Sequence, residues 1–224
     1  LSTPKATPFK GTEAEKIECL KKQHPKESQE NLRLPDNFTM STFDLNAFKK
    51  LVKKAANGSS PGRTGWRTDL LHQMMEGDDT FSGLIMGMII RINNNQLPGS
   101  VRKRQTNCRL LGLDKTEEKV RPIAIGETFY RLAGQMSLHH AAAWIDENFG
   151  DIQVGINKPD GCAHVIHHAR EMLSEDTIEA AMDMSNAFNS PLRKKIREIL
   201  ASDQKWAPFW NLWNLAYSEH TDLV

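Results

Sequence analysis

The chain has 224 residues and nearly balanced charge, 29 Lys and Arg against 28 Asp and Glu, so its overall charge gives no sign of nucleic-acid binding. A hydrophobic fraction of 39% is low but adequate for a core, in one large domain or two small lobes. Three widely spaced cysteines (Cys19, Cys108, Cys162) without a Cys-x-x-Cys pair exclude a disulfide framework and a zinc knuckle, and fit a reduced, intracellular protein.

No apolar run approaches the ~18–20 residues of a membrane span, so no membrane partner is expected. The sequence starts at Leu1 without a signal peptide and reads as a piece of something longer. Residues 1–40 are rich in Pro, Lys, Glu, Ser and Thr and predict an extended arm or linker, with modest helical character only at Ala14 to Lys22. Asp44 and its neighbours offer cap chemistry ahead of Leu45, Phe48, Leu51 and Val52, which share one helix face. A Gly- and Pro-rich loop, Asn57 to Trp66, leads into a helix from Thr68 to Met75. Phe81 to Ile92 is apolar nearly all round and predicts a buried helix, stopped by Leu97-Pro98-Gly99.

Cys108 to Lys115 and Lys119 to Ile125 predict two strands joined by a polar turn. Basic residues crowd this region, among them Arg102, Lys103, Arg104, Arg109, Lys115, Lys119 and Arg121; such a run is most simply a solvated face. Thr128 to Phe149 and Cys162 to Leu173 predict helices. His139 and His140 are adjacent, and His164 and His168 lack a third ligand, so neither pair predicts a zinc site. A short apolar run, Ile178 to Met182, predicts a strand that delivers Asp183 into a polar turn. A basic helix from Leu192 to Leu200 follows Pro191, and Trp206, Trp210 and Trp213 recur at helical spacing, a pattern of core packing.

A carboxylate at a strand end is most often a cap, but a strand-to-turn carboxylate also suits a metal and phosphate site. Asp183-Met184-Ser185-Asn186-Ala187-Phe188-Asn189-Ser190 resembles the first catalytic motif of reverse transcriptases, above all those of non-LTR retrotransposons. Two further stretches resemble that family in the same order. Arg121-Pro122-Ile123-Ala124-Ile125 is similar to its fingers hairpin, and Gln153-Val154-Gly155-Ile156 to the turn before its catalytic strand, with Ile156 in place of the usual Phe. Pro61-Gly62-Arg63-Thr64-Gly65 is similar to a family loop but has Thr64 where the family prefers Asp, so that loop is assigned no catalytic task. The resemblance runs from Ser59 to about Leu200.

The resemblance implies an α+β, helix-rich right-hand polymerase fold with a fingers β-hairpin and an incomplete palm sheet. Its parts would be an arm at 1–40, a fingers-like region at 41–175 with its hairpin at about 108–125, and the first part of a palm at 176–224. It implies RNA-directed DNA synthesis by two-metal nucleotidyl transfer onto a primer 3′-hydroxyl, with Mg²⁺ or in its place Mn²⁺. Asp183 and the Met184 carbonyl would be metal ligands. Arg121 would fork onto the triphosphate, a task suited to a permanently charged guanidinium. Phe188 and Ala187 would line the sugar pocket, the aromatic favouring dNTPs over the ribonucleotides that viral RNA-copying enzymes take with an Asp there. Gln153, Gly155, Lys115 and Lys119 would touch nucleic acid.

The implied partners are an RNA template, a DNA primer and dNTPs, and work on nuclear DNA places the protein in the nucleus. The family's later Asp-Asp motif does not occur after Asp183, and one carboxylate cannot hold two metals. The expectation is therefore an enzyme part that needs the remainder of the same polyprotein, or a partner chain, to supply that motif. The alternative is a catalytically inactive polymerase relative kept as a nucleic-acid- or protein-binding scaffold, its arm docking onto a partner.

Overall fold

The computed structural model describes residues 8–24, 33–40, 42–55, 59–115, 119–150, 152–155, 158–174, 176–178, 180, 182–187 and 189–219, with the side chains of Lys115 and Lys119 outside that set. The described residues form a helix-rich α+β chain with one two-stranded antiparallel sheet.

Among the described residues, side-chain caps set the starts of three α-helices. Helix α1 (Glu13–Gln23) starts with a capping box between Thr12 and Glu15. Helix α2 (Leu45–Lys54) starts where the Asp44 carboxylate accepts from the Ala47 N–H at 2.6 Å. Helix α3 (Thr68–Met75) is followed by α4 (Asp79–Asn93), whose first turn is capped by Asp78 through the Phe81 N–H at 2.8 Å. Pro98 ends the connection, but the chain does not pass straight into a strand. A short basic helix, α5 (Gly99–Thr106), intervenes. Strands β1 (Cys108–Lys115) and β2 (Lys119–Gly126) pair from Cys108 opposite Gly126 to Lys115 opposite Lys119. Then come α6 (Thr128–Phe149), α7 (Gly161–Met172), α8 (Arg193–Ala201) and, after a 3₁₀ turn at Gln204–Trp206, α9 (Ala207–Tyr217).

The main core lies where α2, α3, α4, α6 and α9 meet. Phe48 and Val52 of α2, Leu71 and Met75 of α3, Ile89 and Ile92 of α4, and Leu132, Ala133 and Met136 of α6 pack with Leu215 of α9. The apolar all-round pattern of α4 overstates its burial, because Ile89 and Ile92 point inward while Leu84 is exposed. Between α4 and α6 the buried Ser137 hydroxyl donates to Asn93 Oδ1 at 3.1 Å, so a polar pair is satisfied inside the core. A second, smaller core joins Trp210 and Trp213 of α9 to Leu34, with half-buried Trp206 beside it. The tryptophan stripe is a packing face.

Two buried asparagines of α9 fasten the segment that follows α1. Asn214 accepts from the Leu34 N–H at 2.7 Å and donates to the Leu34 carbonyl at 3.0 Å, and Asn211 donates to the Phe38 carbonyl. Leu34 thus makes both backbone bonds to one side chain, which substitutes for a strand partner. Arg102, in the basic run, is not a solvated residue. Its guanidinium donates to the Asn214 carbonyl at 3.0 Å and the Leu215 carbonyl at 3.3 Å, capping the end of α9.

The Gly- and Pro-rich loop is pinned from below. The Glu127 carboxylate, fully buried at the start of α6, accepts from the Thr64 N–H at 3.0 Å and from the Thr64 hydroxyl. Thr128 Oγ1 donates to the Trp66 carbonyl at 2.6 Å and Arg131 to the Ser60 carbonyl at 3.1 Å. Thr64 therefore has a structural job at the position where its residue type was unexpected.

Of the strand expected at Ile178 to Met182, the described residues Ile178, Ala180 and Met182 lie in no strand, and the other two lie outside the described residues. The described residues of 176–184 have irregular backbone, with Ile178 97% and Met182 93% exposed. A lone extended segment has no neighbour for its N–H and C=O groups, and the β1–β2 hairpin does not extend to it. The incomplete palm sheet is thus absent among the described residues, and the sheet that exists is the hairpin.

Candidate nucleotide and nucleic-acid site

Arg121 sits on β2 opposite Leu113 and is exposed, while Val120 beside it is buried. Arg121 shares its face of β2 with half-buried Ile123 and buried Ile125, so it is the exposed residue of that face, near the turn end of the hairpin. At the far end of the hairpin, burial and then the negative charge of Glu127 push the Cys108 thiol above its ordinary range. Cys108 is thereby unsuited to act as a nucleophile. Lys115 and Lys119 face each other across the last pair of the ladder, with their side chains outside the described residues.

The Gln153 turn is closed on itself. Gln153 Oε1 accepts from the Gly155 N–H at 2.6 Å, and Lys158 donates to the Gly150 carbonyl at 2.6 Å. Asp160, in the left-handed region at φ 54°, then turns the chain into α7. Space is decisive at Gly161, where a Cβ would fall 1.7 Å from the Val154 carbonyl oxygen. At Gly155 a Cβ would have room, with its nearest neighbour at 3.5 Å. The close backbone approach in this turn is therefore internal, at Gly161, whereas Gly155 is exposed. Ile156 lies outside the described residues.

Asp183, Met184 and Ala187 are exposed, Met184 by 75%, and Phe188 lies outside the described residues. The turn after Asp183 is organised by one residue. Asn186 adopts φ 54°, a conformation Asn tolerates better than most residues. Its carbonyl accepts from the N–H groups of Asn189 and Ser190 at 3.0 and 3.1 Å and from the Ser190 hydroxyl at 2.8 Å. Its side-chain oxygen accepts from Asn189 Nδ2 at 3.0 Å.

One contact brings two of the motifs toward each other. Asn186 Nδ2 donates to the Gln23 carbonyl at 3.0 Å, and the Gln23 side-chain amide donates to the Val120 carbonyl at 2.7 Å. The Asp183 turn is thus linked, through the last residue of α1, to the residue beside Arg121. The motif order in the sequence gave no hint of Gln23, because its amide donates to a backbone carbonyl and its own carbonyl accepts from the Asn186 side chain.

The described residues supply only part of the ligand set that the two-metal group implied by the resemblance requires. Among the described residues no group of three Asp, Glu, His or Cys side chains is placed to hold a metal ion. Asp183 stands as a single exposed carboxylate, and hard divalent cations need several oxygen ligands. His139 and His140 are not ligands to a common ion either. They meet Phe43 and Phe38 edge-on, with ring centroids 5.4 and 5.7 Å apart.

The described residues therefore form a helix-rich α+β platform with a β-hairpin that exposes Arg121. No solved structure matches it, and no protein-family model matches the sequence. Over 167 residues, 75% of its length, the chain is 26% identical to the retrotransposable element SLACS 132 kDa protein of Trypanosoma brucei gambiense. It is thus similar to a retrotransposon protein, of whose length the match spans 14%. Among the described residues no helix is long and apolar enough to cross a membrane.

Proposed function

We propose that the chain is the fingers and first half of the palm of an RNA-directed DNA polymerase of retrotransposon type. The observation that carries this reading is the ordered set Arg121 on an exposed hairpin, the Gln153 turn leading into a helix, and the Asp183 turn, in a chain similar to a retrotransposable element protein. Arg121 neutralises triphosphate charge by forking its guanidinium onto phosphate oxygens. Asp183 contributes one carboxylate, and Mg²⁺ binding requires others from the rest of the same polyprotein or a partner chain. Phe188 and Ala187 select the sugar, and Lys115, Lys119, Gln153 and Gly155 lie toward template and primer. A nuclear site of action belongs to this reading alone.

The scaffold reading has less support. It needs the arm for a partner, whereas the described arm residues contact this chain's own hairpin and α9.

The test is RNA-templated extension of a DNA primer with dNTPs and Mg²⁺. It compares this chain, the intact protein that carries it, and that protein with Asp183→Ala. Extension by the intact protein, lost in the variant and absent from the isolated chain, is expected. No extension by a well-folded intact protein would overturn the reading.

A further inference from the structure

We propose that α1 is a positioning helix for the Asp183 turn, and that Gln23 is the residue that fixes that turn against β2 beside Arg121. This rests on the polymerase reading for its consequence, but its geometry stands alone. Helix α1 is docked on the hairpin at three places along its length. Pro8 forms a β-bridge with Leu113, ahead of the helix. In mid-helix the stem of Lys16 lies over Gly112. A Cβ at Gly112 would come within 3.1 Å of Lys16 Cε and 3.0 Å of Val120 Cγ1, so the helix sits as close as it does because residue 112 has no side chain. At the end, Gln23 donates to the Val120 carbonyl at 2.7 Å, and Leu20 is buried.

Gln23 has a second bond, through its carbonyl, to Asn186. An α-helix leaves its last carbonyls without partners inside the helix. Here one of them is capped by the side chain of the residue that also holds the Asp183 turn together. Among the described residues of 176–190, this is the hydrogen bond that leaves the segment for another element. The remaining bonds there are local. Apart from half-buried Asn189, the described residues of the segment are exposed, and among them Asn186, through Gln23, makes the link toward Arg121.

A triphosphate that spans an arginine and a carboxylate needs both held at a fixed separation. Loosening the bracket lowers the occupancy of the correct geometry and weakens nucleotide binding more than it slows a correctly bound one. The polypeptide before the hairpin, not the palm alone, then sets part of the nucleotide affinity.

The experiment uses Gln23→Ala, which removes the amide bond to Val120. Its companion is Asn186→Gly, which keeps access to positive φ but removes the bond to the Gln23 carbonyl together with the local bond from Asn189 Nδ2, so Gln23→Ala is the variant that isolates the link to β2. Hydrogen exchange on this chain reads the Asn189 and Ser190 amides, and primer extension by the intact protein reads KM for dNTP and kcat. Each variant is expected to speed that exchange about three- to tenfold, the range for loss of one net hydrogen bond. Each should also raise KM for dNTP more than it lowers kcat, and the double variant should exceed the worse single variant by little, because both cut the same link. Unchanged exchange in both variants, or effects that simply add, would overturn the proposal. If the intact wild-type protein extends no primer, the polymerase reading falls, and the exchange arm still decides whether α1 holds the turn. Should a variant unfold, seen as lost protection in α6, Gly112→Ala replaces it. That variant crowds the Lys16 stem and Val120 under α1 without touching Gln23 or Asn186, and is expected to speed the same amides.

Discussion

The helices around Leu132 and the segment from Leu173 to Ser190 are built from similarly apolar residues with opposite outcomes. Leu71, Ile89, Leu132 and Met136 are enclosed, and the polar groups among them are matched, as in the Ser137–Asn93 bond. Leu173, Ile178, Met182 and Met184 are exposed, and the described residues from Leu173 to Met184 lie in no helix or strand. The difference is one of partners. Helices satisfy their own backbone and need only a face to bury, whereas a strand needs a neighbouring strand before its apolar residues can be covered. In the proposed polymerase reading, that neighbour would be a further palm strand.

Substitutions should separate the two regions sharply. Leu71→Ala leaves a cavity where α2, α3 and α4 meet and should cost about 2–5 kcal/mol, read by urea unfolding. Asn214→Ala strands the Leu34 N–H and carbonyl in the second core and should cost about 1–3 kcal/mol in the same assay. Met182→Ser, in the exposed run, should change stability by no more than about 0.5 kcal/mol. A loss of several kcal/mol at Met182, or near-neutrality at Leu71, would erase the distinction.

Much of the first region was legible from the sequence. Thr128–Phe149 follows from its helical periodicity, and the hairpin from two alternating runs around a polar turn. The tryptophan stripe declared a core face. The second region was legible as chemistry but not as structure. Asp183, Ala187 and Phe188 carry a motif resemblance, while the strand expected beneath them depends on a neighbour that the local pattern cannot supply. Least legible were contacts made by polar side chains to backbone. Asn211 and Asn214 look like solvent-facing residues of α9 yet fasten the chain at Leu34 and Phe38, and Arg102 looks like part of a charged surface yet caps α9. Gln23 belongs to the same class. Periodicity reports which apolar face is buried and carries no information about where an amide finds a carbonyl.

Hydrogen exchange of this chain beside the longer protein that the proposed function requires is the most direct test of the half-built palm. The account predicts that α6 amides are protected in both proteins. Amides of residues 180–184 should exchange quickly in the 224-residue chain and become protected by strand pairing in the longer protein. Equal, fast exchange of that segment in both would contradict it.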